Sequence, residues 1–346
     1  MFRQLLIGTV LLVVLAGFGA AVAWNEVAFR LEVPYRGYID NGVFVDIKPG
    51  DSTQVIAERV EDSGVVGNEW MFRLAVWWSD RDRVLQAGEY YFDRPLSPLQ
   101  VVDIIASGQV HMRSITFPEG LTIGEMAQLF EVEKFGSAEA FTEAAQRTEL
   151  IADLDDEAEN LEGYLFPETY ALPRDATATD LVQTMIVQFR VAFNDALSAE
   201  AERRDLSVRD VVTLASIIQK EAGNADENGL VSAVYNNRLR IRMPLQCDPT
   251  VIYALQLAGL YDGNLTRANL EFDSPYNTYR YGGLPPGPIA APGRAMLEAA
   301  LRPDDATYLY LVSRNDGSHA FASTLREHNR NVREYQVDYF RRRSGQ

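Results

Sequence analysis

The chain has a single cysteine, Cys247, in 346 residues. One thiol cannot make an internal disulfide framework. Histidine is scarce too: His111, His319 and His328 are the whole supply. With no HExxH and no CxxC pair, the residues argue against a His/Cys metal site. No P-loop and no GxGxxG fingerprint appears, so nothing points to a nucleotide. Positive charge is in deficit. Lys and Arg total 32 against 49 Asp and Glu, a net charge of −17. That balance argues against nucleic acid held through its phosphates. The 47% hydrophobic content suits a folded chain with a sizeable core, long enough for two domains plus a segment outside them.

Charge is missing altogether from Leu5–Trp24. A helix of that length spans about 30 Å, one hydrocarbon core. Arg3 precedes it and Glu26 follows, which puts residues 1–4 in the cytoplasm as a short tail and the bulk outside. A cleaved signal peptide is the competing reading, because Ala21-Val22-Ala23 resembles a cleavage site. The length of the run favours an uncleaved anchor. Both readings export the rest of the chain.

The remainder reads as α+β. Residues 25–42 form a connector. Val43–Ile47 alternates like a strand, and Lys48-Pro49-Gly50 turns into a helix capped by Ser52. Further helices are expected over Asn68–Trp78 and from Ser97-Pro98-Leu99-Gln100, a capping box, to about Ser107. Strands are expected within Val84–Phe92 and over His111–Phe117. Phe117-Pro118-Glu119-Gly120 echoes the turn at Pro49-Gly50, and Thr122 with Glu125 makes a second capping box. The βααβ order of residues 43–110 resembles a LysM carbohydrate-binding module. Its alternative is a packing subdomain without a ligand.

Residues 111–346 then form a larger mixed domain. Glu139–Glu162 holds nine acids against one Arg, the composition of a solvated helix face and an exposed connector. Asn160–Tyr170 is aromatic and bent by Gly163 and Pro167, suited either to a sugar cleft or to ordinary loop packing. Thr179–Asp195 is an amphipathic helix. A helix from about Asn228 to Arg240 leaves Arg238, Arg240 and Arg242 exposed. Asp248 is read as an N-cap with Pro249 behind it. Ser274–Pro292 is too rich in Gly, Pro and Tyr for a regular element, and a loop that long is usually functional or a lid. A helix Gly293–Leu301, a strand Tyr308–Val312, an Asn315-Asp316-Gly317 turn into His319–Ser323, and a helix Leu325–Arg343 complete the chain.

Val208–Gly223 carries the chemistry. Ser207 caps this helix and Gly223 is read as its C-cap. With Leu214 at zero and about 100° per residue, Glu221 falls near 340°, inside the apolar stripe of Ile217 and Ile218. Ser216 and Gln219 fall on the opposite side. Desolvation and the negative helix end both favour a protonated Glu221, which is what a general acid needs. Helix geometry alone also allows a surface acid reaching into water.

The motifs now resemble a known family, the endolytic murein transglycosylases (YceG-like). They are EGYLFPETY, LASIIQKEA, VYNNRLRIRMPLQCDPTVIY, SPYNTYRYGGLPPGPIAAPG, and YLYLVSRNDGSHAF followed by EHN. The resemblance implies that Glu221, the second acid of an EKE-type motif, is the essential catalytic residue. Gln219 occupies the first position, so a carboxylate there is not required. Cys247 stands where many relatives carry Ser or Thr and is read as a small buried residue. The implied reaction cuts the β-1,4 bond between N-acetylmuramic acid and N-acetylglucosamine within peptidoglycan glycan strands. It leaves a 1,6-anhydro end and limits nascent strand length. Glu168, Gln246, Asp248, Asn277 and Tyr279 lie in the family motifs as candidate substrate-binding residues, with Glu168 a conceivable second carboxylate. No metal or organic cofactor is implied. The implied surroundings are the bacterial inner membrane, a periplasmic catalytic domain and neighbouring cell-wall synthases. A hydrolysing muramidase and a non-catalytic wall-binding scaffold are the alternatives.

Overall fold

The uncharged N-terminal run forms a helix that does not stop where the run stops. In the computed structural model, α1 extends over Phe2–Glu32 and takes in residues 25–32 of the expected connector. Its last turns pack into protein: Leu31 is fully buried, and Val27 lies against the same core. Tertiary support, not apolar composition, carries the helix past Trp24. Within α1, Val14–Glu32 has the length and composition of a membrane span, although its last turn, at Leu31, lies in the protein core. The structure describes residues 2–81 and 84–344. Met1, the start of the expected tail, and Gln346, the end of the expected catalytic domain, lie outside the described residues.

The chain divides into two units, Met1–Arg113 with Ala171–Ala176, and Ser114–Tyr170 with Thr177–Gln346. The short returning segment 171–176 carries no signal in the sequence. In the first unit, β1 (Val43–Ile47), α2 (Thr53–Asp62), α3 (Glu69–Ser79) and β2 (Gly88–Phe92) follow in βααβ order, and α4 (Pro98–Ala106) comes next. β1 and β2 pair antiparallel, Val43 opposite Phe92 and Ile47 opposite Gly88. Strand alternation turns Val45 and Ile47 inward, where they meet Tyr90, Phe92, Ile56, Val60, Phe72 and Val102. Burying side chains of this size stabilises the unit by about 1.5–3 kcal/mol each. Ser52, Asn68 and Ser97 cap their helices as their side chains allow, and Ser97 with Gln100 forms the full capping box.

The second unit contains most of β3 (Met112–Thr116) and its helices α5 (Ile123–Val132) and α6 (Ala138–Ala144). β3 pairs with β4 (Thr169–Pro173). There follow α7 (Ala178–Ala192), α8 (Asp195–Arg203), α9 (Val208–Glu221), α10 (Asn228–Arg240), α11 (Asp248–Leu257) and α12 (Arg294–Leu301). A hairpin of β5 (Tyr310–Ser313) and β6 (His319–Ala322) precedes α13 (Leu325–Val332). A wide π turn, Arg333–Asp338, then splits the expected final helix before α14 (Tyr339–Ser344). α8 has no counterpart in the sequence reading. The mixed α+β class stands, with the strands among the described residues in three two-stranded pairs.

α9 is the buried centre of this unit. Every residue from Val211 to Ser216 is buried, as are Ile217 and Ile218. Ser216 therefore does not face solvent. Its hydroxyl donates to the Thr213 carbonyl at 2.7 Å and accepts the Ile289 N–H at 3.0 Å. Gln219 is likewise engaged, accepting the Gly293 N–H at 2.9 Å and so tying α9 to the start of α12.

The acidic stretch 139–162 is also less solvated than its charge suggests. Asp155 and Glu162 are buried. Asp155 accepts from Tyr164 at 2.6 Å and pairs with Arg209. Glu162 accepts the Ile123 N–H and the Tyr253 hydroxyl, each at 3.2 Å. Leu161, Tyr164, Leu165 and Phe166 are buried too, so EGYLFPETY packs the core here.

Candidate active site

Glu221 is the last residue of α9. The Ala222 N–H still closes onto the Ile218 carbonyl at 2.8 Å, after which the backbone becomes extended at Ala222. Gly223 is thus not a left-handed C-cap. Its smallness has another cause: a Cβ there would stand 2.8 Å from the Gly317 carbonyl oxygen, in the turn between β5 and β6.

The Glu221 side chain forms part of the wall of a cavity of about 400 Å³. Gln246, Asp248 and Tyr279 line it as well, with Tyr235, Arg238, Tyr310, His319 and His328. Part of the Glu221 surface opens to this space, but the atoms around the carboxyl are as dense as an interior. Burial raises its pKa; the Cys247 and Tyr235 hydrogen bonds and His319 oppose the rise, and the Asp248 charge adds to it. Cys247 Sγ donates to Glu221 Oε1 at 3.2 Å. Burial also pushes the Cys247 thiol and the Tyr235 hydroxyl well above their ordinary values. Both therefore stay protonated, as donors. The thiol is no nucleophile.

The sequence candidates separate here. Gln246 reaches the cavity from a left-handed backbone, φ 47°, an uncommon conformation for a residue with a side chain. Asp248 is not an N-cap. It is the first residue of α11, Cys247 occupies the cap position, and no side chain caps the helix. The Asp248 carboxylate instead accepts the Tyr279 hydroxyl at 2.5 Å, which places both on the cavity wall.

Asn277 does not line the cavity. It is fully buried, donates to the Leu270 and Phe272 carbonyls at 3.0 and 2.8 Å, and accepts the Tyr279 N–H at 3.0 Å. These bonds occupy the side chain with holding the loop, so it is not free for a sugar. Glu168 lies elsewhere in the unit, exposed at the start of β4, accepting the Thr169 N–H at 3.1 Å. It supplies no second carboxylate to the Glu221 cavity.

The long loop 274–292 is a scaffold over this stretch. Thr278 accepts the Cys247 N–H at 3.0 Å and shares a 2.9 Å hydroxyl contact with Thr250. The Gln246 N–H donates to the Thr278 carbonyl at 3.2 Å. These bonds position Cys247 against Glu221.

Several cavity residues had no signal in the sequence reading. Tyr235 sits mid-helix on α10 and reads as core. Arg238 is buried, contrary to its expected exposure. It donates to the Leu309 and Leu245 carbonyls, both at 2.6 Å, and so fastens α10 to two segments of the cavity wall. His319 is held by Glu227, Nδ1 to Oε2 at 2.8 Å, while its backbone N–H donates to the same carboxylate at 3.0 Å. His328 stacks on Tyr310, and burial lowers its pKa, so it is neutral. The GSHAF and EHN motifs carry these histidines, and spacing alone gives no hint that both face Glu221's cavity.

The mixed α+β scaffold thus brings Glu221, whose pKa burial raises, and Asp248 to the wall of one open polar cavity. The chain belongs to the YceG-like family, whose profile matches residues 45–334. It is 32% identical over 309 residues to an endolytic murein transglycosylase of Bacillus subtilis, covering 85% of this chain and 84% of that protein. It is 27% identical over 325 residues to an endolytic murein transglycosylase of Streptococcus pneumoniae, where it spans 58% of the relative. A crystal structure of a YceG-like protein of Listeria monocytogenes superposes with a TM-score of 0.58 at 31% identity, over 84% of this chain and 98% of that one.

Proposed function

We propose that this protein is a lytic transglycosylase that cuts the N-acetylmuramic acid–N-acetylglucosamine bond inside peptidoglycan strands. The observation that carries the reading is Glu221: one raised-pKa carboxyl with hydrogen-bond donors behind it and an open cavity before it. Protonated Glu221 gives its proton to the glycosidic oxygen, and the bond from that oxygen to muramic C1 breaks. The muramic C6 hydroxyl then attacks C1, and its proton returns to the Glu221 carboxylate. Bonds and protons balance, the acid is regenerated, and no water is consumed. Because the substrate supplies its own nucleophile at close range, one carboxyl suffices. The names of the relatives support this substrate.

Gln246 and Tyr279 are assigned to sugar contact, since both are polar and line the cavity. Asp248 keeps Tyr279 in place and raises the Glu221 pKa. The helix α1 is read as a single-pass anchor with a cytoplasmic N-terminus, which leaves the catalytic unit on the outer face of the inner membrane, near cell-wall synthases and nascent strands. The βααβ order of the first unit supports the LysM-like reading of that subdomain. The role that follows is to limit the length of new glycan strands.

The test is product analysis. The full chain in detergent is incubated with purified peptidoglycan, and the fragments are read by mass spectrometry. Anhydro-muramic ends are expected. Reducing muramic ends would instead make the protein a muramidase, with Asp248 as the carboxylate nearest to hand. Absence of any cleavage would leave a wall-binding scaffold.

A further inference from the structure

All four tryptophans of the chain fall in one place. Trp24 lies at the end of the uncharged run of α1, and Trp70, Trp77 and Trp78 lie on α3. The Trp24 and Trp78 rings meet with centroids 4.8 Å apart. Positions 70, 73, 77 and 78 share one helix face, and the Arg73 guanidinium sits over the Trp70 ring at 4.4 Å. All four rings stay partly open to solvent. Trp24, Trp70, Trp77 and Trp78 are 52%, 60%, 67% and 41% exposed. Tryptophan is costly to leave in water, and a contiguous exposed aromatic patch marks an interaction site.

We infer that this α3 face lies on the lipid bilayer, with its indoles at the headgroup level of the leaflet from which α1 emerges. The inference rests on reading α1 as a membrane span. Two observations choose lipid as the occupant. The ring that stacks on Trp78 belongs to the residue where the apolar run ends, which is the depth where interfacial tryptophans sit. The helix then continues unbroken into the core, where Leu31 is locked seven residues later, about 10 Å along the axis. No flexible linker separates the span from the subdomain, so the Trp78 end of α3 is held at the level of Trp24. The indole is suited to that boundary, apolar in its rings and polar at its N–H, and Arg73 among the rings suits an anionic headgroup. The first unit is thereby a foot that rests on the membrane.

Because no tryptophan lies outside this patch, intrinsic tryptophan emission reports on it alone. The full chain is reconstituted into phosphatidylglycerol–phosphatidylethanolamine vesicles whose acyl chains carry bromine close to the headgroup. Trp24→Phe leaves only the α3 rings. The triple variant Trp70→Phe, Trp77→Phe, Trp78→Phe leaves only Trp24 as the reference for the span. The expected result is blue-shifted emission, strongly quenched by bromine, in both proteins. The unsubstituted chain gives the same reading without any variant: loss of most of its emission, not of one ring's share. Quenching of Trp24 alone overturns the proposal and leaves the span standing. Quenching of neither overturns the span, and the proposal with it. If soluble glycan strands, and not bromolipid, alter the α3 emission, the face is a glycan groove and the proposal is wrong.

Discussion

Cys247 Sγ donates a hydrogen bond to Glu221 Oε1 at 3.2 Å, and the N–H groups of Gln246 and Cys247 with the Thr250 hydroxyl hold this stretch to Thr278 so that it does. This bond favours the ionised form of Glu221 and works against burial. Glu221, the proposed general acid, is thus tuned from two sides. Removing the thiol donor with Cys247→Ala should raise the Glu221 pKa. Activity that needs the protonated acid is lost as pH rises through that pKa, so the basic limb of kcat/KM moves to higher pH, by roughly half a pH unit for one weak donor. Cys247→Ser, which keeps a donor, should leave the limb near its original place. A limb that does not respond to Cys247→Ala would separate the thiol from catalysis.

Asp248 acts with the opposite sign. Its charge raises the Glu221 pKa. Asp248→Asn keeps a polar partner for Tyr279 while removing that charge, and should move the same basic limb to lower pH, again by about half a pH unit. The contrast between the two variants, measured on one substrate in one buffer series, is more telling than either alone.

Glu162 predicts a stability effect away from the cavity. Burial pushes its pKa up to about 7 from an ordinary 4.5, against the pull of the Ile123 N–H and the Tyr253 hydroxyl. A raised folded-state pKa means the folded protein binds the proton more tightly than the unfolded chain. That stabilisation is complete below about pH 4.5 and is lost as pH rises through about 7, an effect on the order of 3 kcal/mol. Glu162→Gln should flatten the dependence. Thermal midpoints between pH 5 and pH 8 in the same detergent check it: equal slopes for both proteins would remove Glu162 as the cause.

Gly223→Ala tests the close approach to the β5–β6 turn. The added Cβ would meet the Gly317 carbonyl oxygen at 2.8 Å, and backbone cannot rotate out of the way as a side chain can. A loss of about 1–3 kcal/mol is expected. Activity should fall with it, because β6 carries His319 to the cavity. Wild-type stability in this variant would show that the turn yields freely.

These cases mark what was legible in the sequence. Helix starts were, because a cap is a bond to a neighbour three residues away: Ser97 and Thr122 form the expected capping boxes, and Ser207 is the expected cap. The turns at Pro49-Gly50 and Pro118-Glu119-Gly120 were too, and Gly50 and Gly120 both take positive φ. Polar burial was not legible, because its partners are remote. Ser216 is matched to Ile289, Glu162 to Ile123 and Arg238 to Leu309. Amphipathic periodicity assigns such residues to solvent. Asp248 shows a local rule misapplied: an Asp-Pro pair reads as cap and first turn, yet the helix begins one residue earlier. At the site, the stripe position of Glu221 was visible from helix geometry. The cavity partners Tyr235 and His319 come from α10 and β6, and only the fold brings them there.

The central claim is that Glu221 alone gives and takes the proton. Glu221→Gln keeps the size of the side chain and a hydrogen-bonding end but cannot donate the proton. Its turnover of purified glycan strands, read as anhydro ends by mass spectrometry, should fall by at least about 10²–10⁴-fold while binding to the strands persists. Continued release of anhydro ends by the Glu221→Gln protein, at a rate near that of the wild type, would contradict the account.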